Sequence, residues 1–595
     1  MSLESRSILK RSNLFDWAFA FLILFSLATN LVWFLTDNHI LGDGSQNHLL
    51  FSVDFFHRFS SVANSTHPIL EKIAAVVKEF GMPSAINSSS YWPQGFNLST
   101  CFFYSVAGTT LFAAKVNLLP YLFILLLSTY CIGRHIDSSS VGLVAAVSLF
   151  FYPIIFQSSR QYQLDFPLTA VVALNVLFLL KSERFRNIKF SLLFGVASGW
   201  AMLIKSLYVI FIAMPLLYEL YGMCRESWRE ILQRPFHSRQ LRNLVLALTM
   251  FVPIAMIWWG PRLSQIPSAL YEHIFNPVKN FESTPFPWSE KFSLECLFFQ
   301  THALFYTSLR PFFSTLFFIA LPFFLIKKTK EKPFFLFWII FPVFFFTFLV
   351  TLKHTRFLMP VLPAMALITA VGLCHIKSRI IRTFIFIFGI FFALFQFYIL
   401  SYVSHGPKTA SIGGFSFLGK QGFGSDYETF YPPHNQTFKI NEKFDMVDDL
   451  VRIIEKNSPV QAPVIFLIQS GKFQNLTDLQ WTFRMLLRHP SFKFTFMDAM
   501  NPDSGADLNS INFVVCFYSG STQITPERFA TTSLEVLLRS SEKWDGFERQ
   551  WKLKAPGRLE NFLKSLAKNN DRFVRVLRET DKDNENVLHV YQNKR

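Results

Sequence analysis

Residues 14–35 read LFDWAFAFLILFSLATNLVWFL, a run of 22 residues with a single charge, Asp16. About 20 apolar residues cross a bilayer core, so this run is long enough to span one. A secretory signal would have a shorter apolar core and a small-residue cleavage site. The run is therefore expected to be an uncleaved first transmembrane helix, entered from Arg6, Lys10 and Arg11 with its N-terminus on the cytoplasmic side.

Ten more apolar runs follow at about 117–133, 140–157, 165–180, 190–205, 206–222, 243–259, 304–326, 333–351, 357–375 and 381–403. Eleven spans are expected. The pair 190–205 and 206–222 is tight. The stretch 100–116 reads either as a further span or as a re-entrant segment. Composition agrees with lipid as the main solvent: 51% of the 595 residues are hydrophobic and only 16% charged, against roughly 25% charged in soluble domains.

Alternating loops separate by charge. One set carries Lys181, Arg184, Arg186 and Lys189, then Arg225 to Arg242, then Lys327 to Lys332, then Lys377, Arg379 and Arg382. The short loops of the other set carry only Arg160, Lys205, Lys353 and Arg356. This asymmetry places the first set in the cytoplasm. It also accounts for the net charge of +17 as topology, and excludes a nucleic-acid partner as its cause. Five N-x-S/T triplets, at Asn64, Asn87, Asn97, Asn435 and Asn475, all fall on the expected outer side. The six cysteines show no metal spacing and no disulfide framework.

The expected architecture is mainly α. A transmembrane domain over 1–403 has a long first outer loop, 37–99, in which 45–59 and 68–80 have the apolar spacing of surface helices. A second long outer loop runs from about 260 to 301. From 404 to 595 charges become frequent and a soluble extracytoplasmic α/β domain is expected. Its strands are read at 464–468, 492–496 and 513–518, with a terminal hairpin at 573–578 and 587–592.

The ionisable residues on the outer side suggest the chemistry. Asp43 follows the first span in ILGDGS. Asp165 opens a later helix in RQYQLDFPL. Lys205 stands at an outer turn, and Lys353, His354 and Arg356 fill another, KHTRFLMP. Charges at lipid depth are costly and usually functional. A sugar on a lipid phosphate needs this set. The phosphate is already a good leaving group, so cations rather than a general acid must stabilise it. One carboxylate acts as general base on the acceptor, and a second orients the acceptor or holds a metal. Asp54, His57 and Arg58, on the polar face of the first surface helix, are candidates for acceptor contacts, as is His354. Simpler readings stand beside these. Asp165 suits a helix start, Lys205 a snorkelling anchor, Arg356 an interfacial anchor, and Asp43 a loop cap.

These segments, with GVASGWAMLIK at 195–205 and KHTRFLMPVLP at 353–363, resemble the GT-C glycosyltransferase superfamily over residues 14–403. The resemblance is to the glycosyltransferase family 39 branch of dolichyl-phosphate-mannose protein mannosyltransferases and aminoarabinose transferases. It implies inverting transfer of a monosaccharide from a polyprenyl-phosphate donor to a lipid, protein or polysaccharide acceptor on the extracytoplasmic face. Asp43 and Asp165 then match the catalytic carboxylates, and Lys205, Arg356 and Lys353 the donor-phosphate contacts. Many relatives have Asp-Glu in the first loop, where this chain has Asp43-Gly44, which leaves acceptor class and a divalent metal open. A secondary transporter or a non-catalytic membrane scaffold are the rival classes. The transporter reading would call for internal repeats and mid-membrane charges, which the sequence does not display.

Overall fold

The computed structural model describes residues 3–36, 43–64, 68–81, 93–233, 238–265, 284–285, 292–350 and 352–402. Beyond these it describes residue 456 and short strands between 410 and 593. The chain divides into two units. One holds residues 1–48 and 58–436, the other residues 49–57 and 437–595.

The first unit is helical. In chain order it contains α1 (Leu3–Thr36), the ends of α2 (Asp43–Ala63), α3 (Ile69–Gly81), α4 (Gly95–Ala107), α5 (Leu111–Val116), α6 (Leu118–Ile136) and α7 (Ser139–Phe151). Then come α8 (Pro153–Ser158), α9 (Asp165–Lys181), α10 (Ile188–Ile204), α11 (Tyr208–Gln233) and α12 (Arg239–Trp259). The series ends with α13 (Leu294–His302), α14 (Arg310–Ile326), α15 (Lys332–Phe348), α16 (Leu362–Cys374) and α17 (Arg379–Tyr402). Among the described residues, each of the eleven expected runs is helical over most of its length. Six of the described helices are long and apolar enough to cross a membrane, or seven if one bent pair counts as a single span.

The differences from the expected runs have local causes. The run 140–157 stops at Tyr152 because Pro153 follows, and the chain restarts as the short α8. The run 304–326 is broken. A π-helix, Ala303–Ser308, meets α14 at Arg310, whose φ of +61° is the left-handed region, and the two segments are bent by 104°. The stretch 100–116 is neither one span nor a loop but α4 followed by α5, with Gly108 at φ +73° between them. Asn97 of the third N-x-S/T triplet is buried on α4 and donates to Gln94 at 2.5 Å, so it is not an exposed acceptor.

Two helices are almost wholly buried. In α9, all but a few of the residues from Asp165 to Leu180 are buried, and in α16 every residue from Leu362 to Leu373 is. The outer helices, by contrast, expose large apolar side chains such as Trp17, Val106, Ile326 and Ile380, as lipid contact requires. α10 packs closely against α12 through a Gly-x-x-x-Gly pair. A Cβ on Gly195 would strike the carbonyl of Ala247, and one on Gly199 would lie 2.7 Å from Cβ of Ile254. At the far end of α9, Glu183, Arg184 and Phe185 form a left-handed turn that Asn243 holds, donating to the Phe185 carbonyl at 2.8 Å.

In the second unit the described strands are β1 (Val464–Ser470), β2 (Lys493–Phe496), β3 (Phe513–Ser519), β4 (Phe573–Thr580) and β5 (Asn586–Asn593). They form a five-stranded sheet in the order β2-β1-β3-β5-β4. β1 pairs parallel with β2 and β3, whereas β5 pairs antiparallel with β3 and β4. The α-helical part expected for this region lies outside the described residues.

Candidate active site

Three helix ends converge. Asp165 begins α9, Lys205 caps the C-terminus of α10, and Arg356 lies in a 3-10 helix, Thr355–Val361, leading into α16. Lys205 Nζ donates to Asp165 Oδ1 at 2.5 Å, and Arg356 Nε stands 3.0 Å from Oδ2. The carboxylate is at a helix N-terminus and the ammonium at a helix C-terminus, so both helix dipoles favour the charges placed on them. Asp165 and Lys205 are each 4% exposed, so the attraction is little screened by water. The Lys205 ammonium also lies over the ring of Phe357, 5.4 Å from its centre.

The third turn residue, Lys353, is fully buried and differently engaged. It donates to the carbonyls of Phe346 at 2.5 Å and Thr347 at 2.8 Å, at the end of α15. His354 caps the 3-10 helix, its Nδ1 accepting from the Arg356 N–H at 3.3 Å. Burial, then Arg356 and Lys205, hold the imidazole well below its usual range, so it is neutral at neutral pH.

A residue the sequence reading passed over belongs to this group. His48, on α2 and 9% exposed, senses Lys205, Arg356 and Asp165 electrostatically. Burial and the two cations push its pKa down to about 3. Nothing in the sequence separates it from the polar run Ser45–Gln46–Asn47 before it, because its importance comes from residues more than a hundred positions away. Asp43 is the first residue of the same helix, and its side chain lies outside the described residues. Asp54, His57 and Arg58 are half-buried further along α2, where burial lowers the pKa of His57 and Asp54 raises it.

Beside Asp165 the connection from α8 is polar yet buried. Gln157, Ser159, Arg160 and Gln163 are all under 5% exposed. Arg160 donates from Nε to Asn30 at 3.2 Å and from Nη1 to Ser401 at 2.9 Å, with its guanidinium 4.1 Å from the centre of the Trp33 ring. It thus ties this connection to α1 and α17. Among the described residues no group of three His, Cys, Asp or Glu side chains is placed to hold a metal ion.

Residues 94–259, which contain Asp165 and Lys205, match the family described as dolichyl-phosphate-mannose-protein mannosyltransferase. The crystal structure of ArnT from Cupriavidus metallidurans bound to undecaprenyl phosphate has the same fold. Its TM-score is 0.55 at 11% identity, covering 96% of this chain and 97% of that one. The chain thus shares the fold of ArnT, and its residues 94–259 resemble the mannosyltransferase family. Apo ArnT from the same organism gives a TM-score of 0.51 at 12% identity over 84% of this chain and 93% of the other. An archaeal oligosaccharyltransferase, AglB from Archaeoglobus fulgidus, gives 0.46 at 12% identity over 89% and 72%. The curated protein sequences contain no match.

Proposed function

We propose that this chain is a membrane glycosyltransferase that moves a monosaccharide from a polyprenyl-phosphate donor to an acceptor on the extracytoplasmic face, with inversion at the anomeric carbon. The observation that carries the reading is the buried trio of Asp165, Lys205 and Arg356. Two cations share one carboxylate, which leaves a net positive site suited to a lipid phosphate. The loop-charge asymmetry orients this end away from the cytosol. ArnT with bound undecaprenyl phosphate supports the donor class.

In this reading the acceptor hydroxyl or amine attacks C1 of the sugar as the C1–O bond to phosphate breaks. Polyprenyl phosphate leaves, and Lys205 and Arg356 take up its growing charge. The acceptor proton passes to Asp43, the proposed general base, worth about 10²–10⁴ in rate. Asp165 does not serve as the base, because both its oxygens face cations that hold it ionised. It positions Lys205 and Arg356. Lys353 supports the turn that carries Arg356 through its bonds to α15.

The test is mass spectrometry of lipid-linked and envelope glycans from cells with and without the protein, and with Asp43→Asn in its place. Loss of one glycan species in both the deletion and the variant is expected. An unchanged glycan profile with a correctly inserted Asp43→Asn protein would sink the proposal.

A further inference from the structure

Gln157 is 1% exposed, and neither Oε1 nor Nε2 of its amide has a hydrogen-bond partner. A native protein seldom leaves a buried amide unpaired on both atoms unless something else binds there. Its helix, α8, packs against α9, against the 3-10 helix that carries Arg356, and against the π-helix Ala303–Ser308. Two further buried groups, on elements that share packing partners with α8, have the same unmet demand. Gln300, on α13, is fully buried with both amide atoms unpartnered, and α13 packs against the π-helix and the Leu352–Lys353 strand. His354 uses Nδ1 to accept from Arg356, so its neutral ring carries the proton on Nε2, which is buried and has no partner.

These three groups are uncharged. Two amides and an imidazole N–H offer donors and acceptors of the kind sugar hydroxyls need. Asp165, at the start of the helix that α8 packs against, already faces two cations. An ammonium on the sugar would therefore gain no free partner from it, whereas the hydroxyls of a neutral hexose need only uncharged donors and acceptors.

We propose that Gln157, with Gln300 and His354 on elements that pack on the same neighbours, reads the hydroxyls of a neutral sugar on the donor, and that Gln157 is a specificity-determining residue. The proposal rests on the polyprenyl-phosphate donor reading above. It has an unusual corollary: removing the Gln157 amide should leave the empty protein no less stable, because an unpaired buried group is lost.

The experiment uses the full chain in lipid nanodiscs and measures affinity by thermal shift for four probes. These are polyprenyl phosphate, its mannose and glucose derivatives, and its 4-amino-4-deoxyarabinose derivative. The wild type is expected to bind one neutral sugar lipid at least about tenfold tighter than polyprenyl phosphate. Gln157→Met should reduce that preference about 10- to 100-fold, with unchanged affinity for polyprenyl phosphate and no fall in unfolding temperature. Gln157→Leu provides the same measurement should the methionine variant fail to fold. The inference is overturned if either variant keeps the preference, if the amino sugar lipid binds tightest, or if no sugar lipid exceeds polyprenyl phosphate. Failure of polyprenyl phosphate itself to bind would overturn the donor reading as well, which separates the two.

Discussion

Lys205 and Asp165 are forty positions apart in sequence, yet their charged atoms meet at 2.5 Å where the start of α9 faces the end of α10. The contact joins the two helices at the end where the candidate site lies. It also fixes the height of both charges, since neither side chain is free to turn toward water.

Asp165→Asn should therefore damage fold and activity together. It leaves two buried cations without their shared carboxylate, at about 3–5 kcal/mol. Asp165→Asn combined with Lys205→Met should recover much of that stability and none of the transfer activity. Thermal unfolding in detergent beside glycan mass spectrometry separates the two effects.

Removing one cation should act on the donor. Lys205→Met and Arg356→Met are expected to weaken polyprenyl-phosphate binding and donor use at least about tenfold, about 1.4 kcal/mol, with acceptor affinity little altered. Titrating each substrate in turn checks this. Equal losses for donor and acceptor would count against the clamp.

Acidification should destabilise the protein through His48. Its native pKa, about 3, lies below the ordinary 6.5. At pH 7 neither state is protonated there and the site contributes nothing. Between pH 6.5 and 3 the unfolded chain binds a proton that the native chain refuses, so stability falls as pH falls. The loss reaches up to about 2 kcal/mol by pH 5. Melting curves from pH 7.5 to 5 should fall less steeply for His48→Gln than for the wild type.

The contact between α10 and α12 gives a fourth test. Gly195→Ala gains helix propensity, up to about 1 kcal/mol, but its methyl group would strike the Ala247 carbonyl. A backbone oxygen cannot rotate aside, so the clash should win, with a net loss of about 1–3 kcal/mol. A lower unfolding temperature is expected, with reduced donor affinity because Lys205 rides at the end of α10.

Much of this architecture was readable in the sequence, because lipid imposes a simple rule on it. Runs such as 165–180 and 381–403 are apolar for the length a bilayer requires, and each is a helix in the fold. Asp165, Lys205 and Arg356 were recognisable for the same reason, since charge stands out where apolar residues are the norm. The break at Arg310 was not, because a positive φ leaves no mark in residue type when the residue is not glycine. His48 was hidden because its neighbours in sequence explain nothing about its neighbours in space. The carbonyl partners of Lys353 were not legible either, since a cation at a turn looks the same in sequence whether it meets a ligand or the carbonyls at the end of α15.

The burial of α9 and α16 has one more consequence. Because almost none of either helix's surface meets lipid, the thickness and composition of the surrounding bilayer press on the peripheral helices and not on the helix that begins at Asp165 or the one that follows Arg356. The spacing of these charges is thereby insulated from its host membrane, and the same geometry should persist when the protein is moved between thin and thick bilayers.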